Sequence, residues 1–135
     1  MRRKTSILIG CIIFVVLAGA AFGAGYLSSV KRYQDTVSQT AYNNLDASGL
    51  PDGTYIGEYD VQFIYAKVEV TVVDGRITAI TLLEHRHDRG IAAEGIEQRI
   101  IAEQKVDVDV VAGATNSSTV IKKAVDNALS QALRK

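Results

Sequence analysis

The sequence predicts an α+β fold, in which a small antiparallel sheet packs with helices and one N-terminal transmembrane helix precedes the domain. Three patterns predict it: an uncharged apolar run near the N-terminus, two alternating segments joined by Asp-Gly, and an apolar helical stripe near the C-terminus. The 135 residues suffice for one modest domain and an additional segment. They exclude an enzyme with its own dinucleotide-binding domain, because that domain alone needs roughly 150 residues.

Charge and cysteine content exclude further classes of protein. Lys and Arg number 15 and Asp and Glu number 15, so the formal net charge is zero and no basic bias favours nucleic acid as a partner. The single cysteine, Cys11, cannot form an internal disulfide or a cysteine-based metal cluster.

Residues 1–30 are predicted to be a membrane anchor or signal-anchor. Positive residues at positions 2–4 precede an uncharged run that extends to Val30, and its most apolar part, Ile7–Leu27, would span about 31 Å as a helix. The alternative is a cleaved signal peptide with an A-x-A site at Ala18–Ala20. We favour the anchor because the apolar run continues past that site. The basic flank predicts a cytoplasmic N-terminus and an extracytoplasmic C-terminal part.

Residues 31–51 are predicted to be a helical stalk or linker. Apolar or aromatic residues recur every four positions from Lys31 to Leu45, which indicates a short helix that can continue from the anchor. The turn-forming run Asp46–Gly53 marks the boundary of a globular domain that we place at residues 52–135.

Strands are predicted next. Thr54–Gln62 is interrupted by Gly57, as at a bulge or a close backbone contact, and Tyr65–Val73 alternates clearly. Asp74-Gly75 suits a two-residue hairpin turn into Arg76–Leu83. A regular hairpin would pair Val72 with Ile77, Val70 with Ala79, and Val68 with Thr81, and would turn Ile80 and Leu82 to the opposite face.

The remaining elements are two helices and a short strand. Ala92–Gln104 has a helical stripe formed by Ala92, Ile96, Ile100 and Ile101, and Val106–Val110 alternates like a strand. The strongest pattern begins at about Ser117, where eight residues form one apolar stripe: Val120, Ile121, Ala124, Val125, Ala128, Leu129, Ala132 and Leu133.

The segment before the last helix is rich in small and hydroxyl-bearing residues. Gly113 and Ala114 allow close backbone approach, and Thr115, Asn116, Ser117 and Ser118 place polar side chains where a helix presents unpaired N–H groups. Two interpretations follow. The side chains either cap the helix for local reasons, or they form an anion site of the kind that binds phosphate.

This segment resembles a known motif. Asp109-x-x-x-Gly113-Ala114-Thr115-x-Ser117-Ser118 is similar to the flavinylation motif of the FMN-binding domain family, which includes flavin-carrying subunits of ion-pumping oxidoreductases and domains of extracellular flavoprotein reductases. The resemblance extends from about Asp52 to Leu133. It implies FMN as cofactor, joined by a phosphoester bond to Ser117. The cofactor-binding residues that we expect are Ser117, Thr115, Gly113, Ala114, Asn116, Ser118, Asp109, Arg89 and His87.

The sequence departs from the family pattern at three places. Ala112 stands where many relatives have Ser or Thr, Ser117 where many have Thr, and Asp88-Arg89-Gly90 where many have a Pro-Gly-rich loop. Serine can carry a phosphoester as threonine can, so the chemistry at the attachment position is retained.

The charged segment around His85 and His87 has three interpretations. Two His at i and i+2 with Asp88 could bind a metal, His87 or Arg89 could contact the flavin, or the segment could be a solvated loop. Without a visible third convergent ligand, we predict no metal site.

The function that the resemblance implies is electron transfer by an extracytoplasmic, membrane-anchored flavoprotein. We find no nucleophile–base pair or carboxylate dyad, so turnover of a substrate by this chain alone is not expected. The expected partners are a membrane electron donor, an extracytoplasmic acceptor and an FMN transferase. The alternative is a non-redox sensory or structural domain tethered to the membrane.

Overall fold

The computed structural model describes residues 2–87 and 90–134. The chain divides into two compact units, residues 1–34 and residues 35–135. Its elements in chain order are α1 (Arg2–Ser38), a 3₁₀ turn (Ala47–Gly49), β1 (Gly53–Asp60), β2 (Tyr65–Val73), β3 (Arg76–Arg86), a 3₁₀ helix (Ile91–Gly95), α2 (Ile96–Glu103) and α3 (Thr115–Ala132).

Helix α1 is the apolar helix that the N-terminal run predicts. From Ser6 to Ser38 it is long and apolar enough to cross a membrane. Its large apolar side chains, such as those of Ile7, Phe14 and Leu27, are exposed. A signal sequence would meet the same criterion of length and composition. What is confirmed, within the part of the chain that the structure describes, is therefore one N-terminal helix of membrane-spanning length.

The stalk is helical over a shorter range than the sequence predicts, because α1 ends at Ser38 instead of Leu45. The next residues take another course: Asn44 has a φ of 49°, in the left-handed region. The backbone N–H of Asn43 donates to both carboxylate oxygens of Asp126, at 3.0 and 3.1 Å. The buried Asp126 carboxylate thus binds an amide that a longer helix would have used internally, and it holds this segment against α3.

The sheet has three antiparallel strands in the order β1-β2-β3. The alternate side chains of the central strand, including the predicted face of Val68, Val70 and Val72, are fully buried. Helix α3 packs on β1 and β2, while α2 packs against β3. The core therefore lies between one face of the sheet and these two helices. The predicted Asp74-Gly75 turn is confirmed by positive φ values of 51° and 69°.

Gly57 marks a close approach between β1 and α3. A Cβ at this position would overlap the carbonyl oxygen of Ala124 and the backbone nitrogen of Ala128, and would lie 2.8 Å from the Ala128 Cα. The β1–β2 register runs through Gly57 without a shift. Of the two explanations for this glycine, close backbone contact is therefore correct and the bulge is wrong.

The predicted hairpin register is correct only beside the turn. Val72 pairs with Ile77, but Thr71 then pairs with Ala79, so Thr78 is an extra residue on β3. A second shift makes Leu83 an extra residue. Because each such bulge reverses the alternation of the strand, Ile80 and Leu82 lie opposite Val70 and Val68. The predicted pairings of Val70 with Ala79 and Val68 with Thr81, and the outward orientation of Ile80 and Leu82, are wrong for this reason.

Two further expectations need correction. The predicted helix Ala92–Gln104 is a 3₁₀ helix followed by α2, and Ala92 is exposed while Ile96 and Ile100 are buried. The predicted strand Val106–Val110 is not part of the sheet. Two of its three alternating valines, Val106 and Val108, are nonetheless buried, whereas Val110 is exposed.

Helix α3 supplies much of the core, as its stripe predicts. Seven of the eight predicted residues are buried, whereas Leu133 is 62 % exposed because it follows the end of the helix at Ala132. The helix begins at Thr115, two residues before the predicted start.

Candidate flavin attachment site

The N-terminus of α3 is not capped by the hydroxyl-bearing side chains that precede and begin it. The N-cap residue is Ala114, which has no polar side chain and makes no side-chain cap bond. Gly113, with a φ of 79°, turns the chain into the helix in a conformation that favours glycine. For the hydroxyls of Thr115, Ser117 and Ser118 the capping interpretation is therefore wrong. The first N–H groups of an α-helix have no acceptor within the helix itself.

Ser118 has a structural role in the loop before α3. It is 0 % exposed, and its hydroxyl accepts a hydrogen bond from the backbone N–H of Val111 at 3.0 Å. The same loop is held by Lys122, whose ammonium donates to Asp107 Oδ1 at 2.8 Å and to the Val108 carbonyl at 2.7 Å. These bonds fix the path of residues 107–111 beside α3, so that the Gly113–Ser117 segment has a defined position.

Ser117 lies directly against Gly90. A Cβ added to Gly90 would overlap the Oγ and Cβ of Ser117 and would lie 3.2 Å from the Cβ of His87. The backbone N–H of Gly90 donates to His87 Nδ1 at 3.0 Å. The structure thus brings together Ser117 and His87, which the sequence predicts as site residues, and adds Gly90, which the sequence analysis did not single out for this role. The feature of the sequence that could have indicated this role is the glycine at the end of the charged segment around His85 and His87.

The other predicted site residues differ in their exposure to solvent. Gly113, Thr115 and Asp109 are exposed, Asn116 is half-buried, and Ala114 is buried. The carbonyl of Asp109 accepts a hydrogen bond from Arg99 Nη1 at 3.3 Å. Arg89 and Asp88 lie outside the described residues, so their predicted roles stay predictions.

A further cluster consists of His85, His87 and Glu94, and we call it the His–Glu cluster. Glu94 Oε1 lies 3.1 Å from His85 Nδ1 and 3.7 Å from His87 Nε2, and the two rings are 4.4 Å apart between centroids. Burial lowers the pKa of His85, and the neighbouring His87 adds to this, while Glu94 opposes it. Sequence analysis missed Glu94, because no periodic pattern connects it with the two histidines.

Comparison with known proteins decides the family. Residues 64–130 match the family model described as the FMN-binding domain. This part of the chain belongs to the FMN-binding domain family. An uncharacterized protein of Treponema pallidum (strain Nichols) is 27 % identical over an alignment of 135 residues. The alignment covers 96 % of this chain but 38 % of that protein. The chain thus spans well under half the length of this relative.

The residues of the FMN-binding domain fit the cofactor that the family indicates, FMN. The N-cap residue of α3 has no capping side chain, and a helix N-terminus favours a phosphate through its first N–H groups and the helix dipole. Gly113 and Thr115 are exposed beside it, so a phosphate can reach the helix start. The predicted cofactor is therefore confirmed at the level of the family.

Proposed function

We propose that this chain is an extracytoplasmic flavoprotein, anchored by α1, that carries FMN on Ser117 through a phosphoester bond and serves as an electron carrier. One observation carries the proposal: the Gly113-Ala114-Thr115-x-Ser117 motif coincides with the N-terminus of α3, whose N-cap residue Ala114 has no capping side chain. Bound FMN supplies one- and two-electron redox chemistry. The chain supplies attachment, orientation and a favourable electrostatic environment for the phosphate.

Each part of the motif has a distinct task in this proposal. Ser117 Oγ forms the bond to phosphorus, while its proton and the leaving group of an activated FMN donor depart in the reaction of an FMN transferase. The first N–H groups of α3 bind the phosphate oxygens. Gly113 keeps the approach open because it has no side chain. Ser118 holds the loop through Val111, which explains why two adjacent serines have different roles.

The burial of Ser117 sets a condition on the attachment. The residue is 3 % exposed and lies against Gly90. A transferase reaches the hydroxyl of Ser117 only when Gly90 is displaced from it, or before Gly90 has packed against it during folding. We therefore expect attachment during or soon after export, before the fold is complete.

The partners follow from the carrier role. The chain has an N-terminal helix of membrane-spanning length, and the three basic residues that precede its apolar part favour a cytoplasmic N-terminus. A membrane electron donor, an extracytoplasmic acceptor and the FMN transferase are the partners that this arrangement requires. Covalent attachment prevents loss of the cofactor outside the cell.

The test is co-expression of the full chain with an FMN transferase, followed by intact-mass and peptide-fragment analysis. We expect an FMN adduct on the peptide that contains Ser117, its loss in Ser117→Ala, and its retention in Ser117→Thr, which keeps a hydroxyl. Ser118→Ala serves as the control: it loses the bond to Val111 and about 1 kcal/mol of stability, but it keeps the adduct.

Two outcomes would contradict the proposal. An adduct that survives Ser117→Ala would place the attachment elsewhere. A wild-type chain that stays colourless and unmodified with an active transferase would favour the non-redox tethered domain instead.

A further inference from the structure

The His–Glu cluster has the geometry of a metal site. A tetrahedral ion with ligand bonds of about 2.1 Å holds its ligand atoms about 3.4 Å apart. In the cluster, Glu94 Oε1 lies 3.1 Å from His85 Nδ1 and 3.7 Å from His87 Nε2. One potential ligand atom from each of the three residues lies within 4.8 Å of the others. Small side-chain adjustments would therefore bring all three atoms to bonding distance of one ion.

Burial and charge around the cluster also favour a cation. The His85 side chain is 2 % exposed and its Nδ1 lies 3.1 Å from Glu94 Oε1, so this potential ligand atom is shielded from water. Glu97, three residues after Glu94, is buried, its Oε2 has no hydrogen-bond partner in the described part of the chain, and burial raises the pKa of its carboxyl group. Within residues 2–87 and 90–134, no Lys or Arg forms an ion pair with Glu94 or Glu97. A bound cation would compensate the Glu94 carboxylate, which is one of its proposed ligands.

We propose that His85, His87 and Glu94 bind a divalent transition-metal ion of the Zn²⁺ type, with a fourth coordination position left open. Two imidazoles and one carboxylate are a ligand set that such ions take, and three protein ligands leave room for water or another group. The ligand set does not include the attachment residue Ser117, and the existence of the site does not depend on the proposed flavin attachment.

The hydrogen bonds of the two rings predict what binding changes. His87 Nδ1 accepts from the Gly90 N–H, so the proton of the neutral ring is on Nε2. Ligation through Nε2 moves that proton to Nδ1 and breaks the bond to Gly90. For His85, ligation through Nδ1 moves the ring proton to Nε2, which has no described partner in either state. The metal therefore acts on the backbone of Gly90, the residue that lies against Ser117.

The experiment is a titration of the full chain, purified in detergent micelles and stripped with a chelator, with Zn²⁺ in a calorimeter and with Co²⁺ in a spectrophotometer. We expect one ion per chain, a Co²⁺ visible spectrum typical of four-coordinate nitrogen and oxygen ligands, and a shift of the Gly90 amide resonance on addition of Zn²⁺. His87→Ala and Glu94→Gln should each weaken Zn²⁺ binding by at least about tenfold, since even the loss of an outer-shell partner costs that much.

Glu84→Gln is the matched control, because Glu84 is exposed and adjacent to His85 in sequence but is not a member of the cluster. It should leave Zn²⁺ affinity unchanged. Glu94→Gln keeps the size and shape of a partly exposed side chain, so we expect the variant to fold. The melting temperature of the metal-free variant, compared with that of the metal-free wild type, verifies this. Wild-type affinity in both Glu94→Gln and His87→Ala, an equal loss in Glu84→Gln, or no binding by the wild type would overturn the proposal.

Discussion

The backbone of Gly90 lies so close to the side chain of Ser117 that residue 90 has no room for a Cβ atom. The position that a Cβ would take overlaps both Oγ and Cβ of Ser117. The overlap with Ser117 Cβ cannot be relieved by a rotation about the Cα–Cβ bond, because Cβ moves only with the backbone. Gly90 also donates its N–H to His87 Nδ1 at 3.0 Å. One glycine therefore sets the distance between the candidate attachment residue and the His–Glu cluster.

We predict that Gly90→Ala lowers the free energy of unfolding by about 1–3 kcal/mol, the usual cost of overpacking a buried site. Gly95→Ala is the control, since a Cβ at residue 95 meets no atom within 4 Å. Thermal melting of the two variants beside the wild type measures the difference. Equal melting temperatures for the two variants would contradict the contact.

The contact between β1 and α3 makes a second glycine sensitive. Gly57→Ala places a methyl group against the backbone of Ala124 and Ala128, and no side chain can move aside because the opposing atoms are main chain. We expect a loss of at least about 2 kcal/mol. Gly49→Ala, where a Cβ would meet nothing within 4 Å, should change little. Urea unfolding of both variants checks the prediction, and a Gly57→Ala midpoint equal to that of Gly49→Ala would refute it.

Tyr42 should make the domain sensitive to alkaline pH. Burial raises its pKa from 10.0 to about 12, and its hydroxyl donates to the Thr119 carbonyl at 3.5 Å. Because the folded-state pKa lies above the unfolded value, the neutral hydroxyl contributes stability that is complete below pH 10 and is lost as pH rises toward 12.

The measurement is urea unfolding of the wild type and Tyr42→Phe at several pH values from 8 to about 11.5. The stability difference between them should be constant up to about pH 10 and then shift in favour of the variant. Parallel curves over the whole range would show that Tyr42 does not titrate differently in the two states.

The orientation in the membrane can be tested on intact cells. Basic residues at positions 2–4 precede the apolar part of α1, and the positive-inside rule then predicts that the C-terminal domain is outside. Protease added to intact cells should digest residues beyond α1, while a cytoplasmic marker protein stays whole. Digestion that begins only after lysis would reverse the assigned orientation.

Sequence periodicity predicted the buried faces well, because burial depends on the alternation or helical spacing of apolar residues. The stripe of α3 and the face of Val68, Val70 and Val72 follow that rule. The strand register could not be predicted in the same way. An extra residue such as Thr78 leaves no periodic signature, since Ala79 and Ile80 are both apolar and either can face the core.

The site was predictable where one motif carries it and not where it depends on contacts between distant segments. Gly113 to Ser118 lie together in sequence, so their position at a helix start follows from the pattern. Glu94 meets His85 only because the 3₁₀ helix lies beside the end of β3, and Gly90 meets Ser117 only because α3 packs beside the same 3₁₀ helix. Hydroxyls before a helix also favour a capping interpretation, and only the geometry at Ala114 decides against it.

The two bulges of β3 have a consequence for insertions and deletions in related genes. Each extra residue turns the side chains that follow it to the opposite face of the sheet. After both Thr78 and Leu83, His85 is again on the face that it would have in a strand without bulges. Loss of one codon between them would remove a single reversal and turn His85 from the core to solvent. Loss of two codons would return His85 to the core face. Segments whose lengths differ by an even number of residues are therefore the ones compatible with an inward His85.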